Sequence, residues 1–158
     1  MTGLRHAGGE LPTPDRSDCL GACDPGEIIQ VTIVLRRRNQ PALDALLKSL
    51  ERGDPPAKPV TRKGFARRFG ASAADFAAVR IFARRNRLAI LNTDSAACTV
   101  LLSGSVAQIN AAFGVTLMRY RHAEWGIYLG HAGTPAIPVS LQGIAMAVLG
   151  LDRRPAAR

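Results

Sequence analysis

Two Phe-Gly pairs constrain this chain more than any other feature, because one leads into a helix and the other ends one. Phe69-Gly70-Ala71-Ser72 runs into a helix that begins at Ser72, and Ala112-Phe113-Gly114-Val115 closes a second. The aromatic residue anchors the turn, and glycine lets the backbone change direction where a side chain would obstruct it. Ser105 followed by Gln108 makes a capping box for the second helix, whose apolar face is Val106, Ile109 and Phe113. Between the two helices, Leu88 to Thr93 and Cys98 to Ser103 read as strands joined by a turn at Asp94-Ser95-Ala96-Ala97.

The flanking segments extend this frame. Ile29, Val31, Ile33 and Leu35 alternate with Gln30, Thr32 and Arg36, which predicts a strand with one buried side. Leu43, Leu46, Leu47 and Leu50 fall at helical spacing between Pro41 and Arg52. Thr61 to Phe69 predicts a short helix. Ser72 with Asp75 caps the next one, whose stripe is Phe76, Val79, Phe82 and Ala83. Val115 to His122 predicts a fourth strand. The glycines and prolines from Gly126 to Pro138 predict an irregular surface stretch, and Leu141, Ile144, Ala145, Val148 and Leu149 predict a last helix from Ser140.

The implied fold class is α+β. Its core is a ferredoxin-like split βαββαβ antiparallel sheet with helices on one face, plus extra helices after the first strand and at the C-terminus. Residues 1–27, rich in Gly, Pro, Asp and Arg, predict a disordered leader; residues 28–150 form the domain; residues 151–158 form an exit tail.

Net charge is +9, which favours an acidic partner without choosing among nucleic acid, an anionic membrane and an acidic protein. No apolar run has the ~18 residues of a membrane span, so no membrane partner is expected. Residues 1–27 show no apolar core of a secretory signal, which leaves open a cytoplasmic location, unconventional export or a true start that lies elsewhere. Cys19, Cys23 and Cys98 are too few and too scattered for a disulfide framework, and only His6 lies near the first two, so no metal and no cofactor are expected; Cys19 and Cys23 either bridge or stay free. Ser103-Gly104-Ser105 lacks the pattern of a nucleophile elbow, and no paired carboxylates have catalytic spacing. Lys63-Gly64-Phe65-Ala66 matches half of an RNA-recognition signature, but on a helix-like segment and with Arg67, Arg68 and Gly70 where the second half needs apolar or aromatic residues. The internal arginine runs read as solvated faces. His122 and His131 flank Trp125 and Tyr128 in what reads as a surface loop with a half-buried tryptophan.

The ordered series VTIVLRRR, TRKGFARRFGAS, TVLLSGSV, AAFGV with Tyr120, and PVSLQGIAMAVLGLDRRP resembles the activation pro-domain of the sedolisin (kumamolisin) family of serine-carboxyl peptidases, over residues 28 to 155. The resemblance implies a domain that is not itself an enzyme. It implies an extracellular peptidase, a pro-domain that assists folding of the catalytic domain and blocks its cleft, and removal by acid-triggered autoprocessing. The implied partner is the catalytic domain, in cis or in trans; its Ser, Glu and Asp would lie outside this chain. Leu151, Asp152, Arg153 and Arg154 are the expected tail contacts, and Tyr120 and Trp125 the expected interface anchors. The rival reading is a stand-alone basic ferredoxin-like module that binds nucleic acid, which needs a basic sheet face with exposed rings.

Overall fold

The computed structural model describes residues 17–155. In chain order the elements are β1 (Ser17–Ala22), β2 (Ile28–Leu35), α1 (Gln40–Glu51), α2 (Arg62–Phe69), α3 (Ala73–Arg85), β3 (Ala89–Asp94), β4 (Thr99–Ser105), α4 (Val106–Phe113), β5 (Thr116–His122), β6 (Gly126–Ala132), a 3-10 turn (Val139–Leu141) and β7 (Ala145–Leu149). The architecture is α+β, with four helices among the described residues and two antiparallel sheets, and is consistent with the ferredoxin-like class. One sheet has the order β3-β4-β2-β7 and the other β1-β5-β6.

The local signals behave as their chemistry dictates. On β2, Ile29, Val31, Ile33 and Leu35 are buried, while the other side faces outward. At α4 the Gln108 amide donates to Ser105 Oγ (3.2 Å), and the Ser105 amide donates to Gln108 Oε1 (2.8 Å). Gly114 ends this helix at φ 64°, and its amide returns to the Asn110 carbonyl. Phe113 meets Phe82 of α3 with ring centroids 5.7 Å apart, so the two main helices share one aromatic joint over the sheet. Phe113 is 1% exposed. Truncating it to alanine is expected to cost about 3–5 kcal/mol, measurable by urea unfolding.

Three expectations are corrected. Within the expected leader of residues 1–27, Ser17–Ala22 form β1 and pair with β5, with a register shift between Cys19 and Gly21; residues 1–16 lie outside the described residues. The stretch after Trp125 is a strand: β6 pairs with β5 from Thr116–Ala132 to His122–Gly126. The last helix is absent from its expected place. Gly143 at φ 74° separates the 3-10 turn from β7, which pairs with β2 through Thr32–Leu149, Ile33–Val148 and Val34–Ala147. The fourth strand of the larger sheet is therefore β7, and residues 116–122 belong to the smaller sheet.

The arginine run 36–38, expected as a solvated face, is a set of fasteners. Arg36 makes two hydrogen bonds to Asp75 (2.9 and 3.0 Å), and Asp75 is 3% exposed at the start of α3. Arg37 donates to the Ala96 carbonyl at 2.6 Å. Arg38 donates to the carbonyls of Gly70 (2.9 Å) and Arg67 (2.8 Å), and Asn39 to that of Arg68 (3.0 Å). These carbonyls lie at the end of α2, where the helix has no internal donors left. Arginine is suited to this work because its fork of donors satisfies several acceptors at once.

Candidate partner-docking surface and exit segment

The exit segment starts at the end of β7. Gly150 takes φ 98°, a conformation open to glycine, and turns the chain away from β2. Leu151 then drops into the core at 2% exposure. The Arg153 amide donates to the Leu129 carbonyl of β6 (2.8 Å), so the segment lies along the edge of the smaller sheet. Asp152 and Arg154 close on each other: the Arg154 amide donates to Asp152 Oδ1 (2.9 Å) and its Nε to Oδ2 (2.7 Å). The Asp152 hydrogen bond, foremost, raises the Arg154 guanidinium above its ordinary value.

Beside this segment stands an aromatic cluster on β5 and β6. Tyr120 stacks on Tyr128 at 5.5 Å, and Trp125 stacks on His122 at 3.8 Å and meets Tyr128 edge-on at 6.3 Å. The Tyr128 hydroxyl donates to Ser17 Oγ (3.1 Å), tying β1 to the cluster. His122 is buried, with Nδ1 accepting from the Glu124 amide (3.1 Å). Burial, more than any neighbouring charge, pushes the Tyr120 phenol up; Asp152 adds to that push and Arg154 opposes it.

The six sequence-predicted contacts have unequal roles, with Tyr120 and Trp125 on the β5–β6 hairpin and the Arg153 amide bonded to β6. Leu151 is a core residue, Asp152 and Arg154 are mutually paired, and Arg153 is exposed. Tyr120 is half-buried, and Trp125 remains 38% exposed at the β5–β6 turn. Two further surfaces were not anticipated. The outward side of the larger sheet carries Ile28, Gln30, Thr32, Val34, Leu101 and Leu149, none of them charged; Thr32 lies between Leu101 and Leu149. Its signal was present in Ile28 and Val34, which sit among the polar residues of β2. The second is a groove of about 560 Å³ between α1 and α2, lined by Leu43, Leu46, Leu47, Leu50, Val60 and Phe65.

Among the described residues, no group of His, Cys, Asp and Glu side chains is placed to hold a metal ion, and no helix is long and apolar enough to cross a membrane. Cys19, Cys23 and Cys98 are unpaired; burial raises the thiols of Cys23 and Cys98 above their ordinary value. The Lys63-Gly64-Phe65-Ala66 segment sits on α2, away from any sheet strand, and the outward side of the larger sheet bears no ring. The nucleic-acid reading is not supported.

The chain is thus an α+β scaffold with an uncharged outward row on its larger sheet and a C-terminal segment held on β6. Residues 15–154 match the family described as Pro-kumamolisin, activation domain, and the chain belongs to that family. It is similar to kumamolisin from Bacillus sp. (strain MN-32), with 40% identity over 131 residues; that span is 82% of this chain and 24% of kumamolisin. The chain is thus a peptidase activation domain, a propeptide rather than a catalytic domain, and it spans about a quarter of the relative's length.

Proposed function

We propose that this domain is the pro-domain of a secreted, acid-acting serine-carboxyl peptidase. It assists folding of the catalytic domain, blocks the cleft, and is removed by autoprocessing in acid. In this reading the larger sheet is a ferredoxin-like unit in which β2 and β3 are split by β4, and β7 supplies the fourth strand. The partner is the catalytic domain, in cis or in trans.

The observation that carries the proposal is the outward face of that sheet. A half-exposed, uncharged row of Leu101, Thr32 and Leu149 on a rigid sheet is a surface suited to burial against another folded domain. A domain that binds only the native catalytic fold stabilises it by mass action. In this reading Leu151 to Arg154 lead the chain from the same scaffold toward the cleft.

Charge supplies the acid trigger. The chain carries +9, so ionised carboxylates on the partner attract it at neutral pH, and their protonation weakens that attraction. The domain also loses support of its own in acid. Hydrogen bonding from the Ala97 amide, foremost, and the neighbouring Arg62 hold the Asp94 carboxyl below its ordinary value. A carboxyl lowered by folding stabilises fully above its unfolded value, and that contribution drains away as the pH falls through the folded one.

Affinity for a kumamolisin-type catalytic domain is therefore expected to fall between neutral pH and mild acid, and to fall with added salt, as measured by calorimetry. Unchanged affinity across that range would remove the charge mechanism. Absence of binding at any pH would remove the pro-domain reading.

A further inference from the structure

The outward row of the larger sheet is uncharged, so attraction between charges must act elsewhere on the molecule. Residues 36–69 hold ten Lys and Arg and three Asp and Glu, a net +7 of the chain's +9. That stretch supplies most of the groove of about 560 Å³ between α1 and α2. The apolar stripe of α1 is only partly covered there: Leu43 is buried, while Leu47 is 48% and Leu50 46% exposed. The polar side chains of the lining are already engaged. Thr61 Oγ accepts from the Gly64 amide (3.0 Å), and Arg62 donates to Asp94 (2.5 Å). The walls are mainly helix, whose backbone groups are spent internally. An occupant must therefore bring aliphatic side chains and a backbone that satisfies itself, as a helix does. Lys48 and Lys63 directly follow the lining residues Leu47 and Arg62, and Lys58 lies between Pro56 and Val60 of the connecting loop. All three lysines are exposed and make no ion pair among the described residues.

We propose that this groove is a second docking site for the catalytic domain, that it seats an acidic amphipathic helix on that domain's surface, and that the salt-sensitive part of binding resides here. The inference rests on the pro-domain reading. Charge selects the occupant. A second copy of this chain would bring its own +7 to the same place, whereas carboxylates flanking the aliphatic face of a helix would meet the three lysines. Position selects the same partner. β2 runs from Thr32, in the uncharged row, directly into Arg36, Arg37 and Arg38. Arg37 holds the Ala96 carbonyl of the β3–β4 turn, and Arg38 holds carbonyls at the end of α2. Ala96 of that turn and Phe65 of α2 both line the groove. The groove thus lies beyond the end of the strand that carries the row, within the span of a single folded partner.

The test measures binding of the 158-residue chain to a mature kumamolisin-type catalytic domain at neutral pH. Leu47→Asn is expected to weaken binding about tenfold, with thermal unfolding close to that of the unaltered chain because the side chain is half-exposed. Leu50→Asn should reproduce the loss, which keeps the test open if the first variant does not fold. Lys48→Gln combined with Lys63→Gln should weaken binding at low salt and converge on the unaltered chain as salt is raised. Amides of α1 should exchange more slowly once the catalytic domain is added. Unchanged affinity in a folded leucine variant overturns the proposal. So does a leucine loss without any change of salt dependence in the lysine variant, since the occupant would then not be acidic. Exchange in α1 that is already slow in the free chain and unaltered by the partner means that the groove is filled from within the chain. Self-association abolished by Leu47→Asn means that a second copy fills it. Either result overturns the proposal. Failure of the unaltered chain to bind counts instead against the pro-domain reading.

Discussion

Replacing Gly150 by alanine is expected to lower the stability of this domain by about 3 kcal/mol, the sum of a backbone penalty of about 1–2 kcal/mol and a crowding penalty of similar size. At φ 98° the position lies where residues with a Cβ are strained. An added Cβ would also stand 2.9 Å from the Gln30 carbonyl oxygen and 3.5 Å from Val31 Cα. Both neighbours are backbone of β2, hydrogen-bonded into the sheet, so neither yields as a flexible side chain would. The expected drop in melting temperature is roughly 10 °C for a chain of this size. Gly143→Ala separates the two contributions. Gly143 has φ 74° but nothing within 4 Å of an added Cβ, so it should show the backbone penalty alone. Calorimetric scans of the two variants that gave equal losses would refute the crowding argument. The variant also bears on function, since Gly150 is where the chain turns from β7 toward the exit segment.

What was legible in the sequence was local. The capping box of Ser105 and Gln108, the Ser72 cap and the alternation from Ile28 to Leu35 each depend on neighbours within a few residues, and each appears where expected. What misled was non-local. Leu141, Ile144, Ala145, Val148 and Leu149 satisfy a helical period, yet Ala145–Leu149 are a strand. The free edge of β2 offers that segment a ladder of backbone partners, and Gly143 at φ 74° breaks a helix before it can propagate. Tertiary pairing of this kind overrides local pattern. The same holds for Ser17–Ala22, which lacks any strong apolar alternation and becomes a strand because β5 stands beside it.

The charges were legible in number and not in role. Seven adjacent positions, Leu35 to Pro41, hold three arginines and an asparagine. Nothing in their spacing says that Arg36 meets Asp75, thirty-nine positions away, or that Arg38 closes the end of α2. The site residues divide in the same way. The tail and the two rings are identifiable in the sequence, and the charges of Asp152 and Arg154 act on the Tyr120 phenol. That the tail would be held by its own domain depends on β6, a strand the glycine-rich sequence concealed.

The largest effect on partner binding is expected from the outward sheet face. Leu149 is 53% exposed on β7, beside Thr32 at the centre of the uncharged row. Leu149→Glu places a charge there without removing a core contact, because the inward neighbours Val148 and Ile33 are untouched. Surface changes of this kind usually alter stability by no more than about 0.5 kcal/mol. Burying the new carboxylate against a catalytic domain is far more costly, since it would lose water without gaining a partner. A central contact of this kind is worth about 2 kcal/mol or more, which corresponds to at least about thirtyfold in affinity. Ile81→Glu is the matched control: Ile81 is 52% exposed on α3, on the helical side of the molecule, and should leave affinity unchanged. Titration of a kumamolisin-type catalytic domain with each variant distinguishes the faces. Equal loss in both would mean that added negative charge acts at long range on a basic domain. Loss in the Ile81 variant alone would move the docking surface to the helices, and the sheet face would then have no part in holding the peptidase.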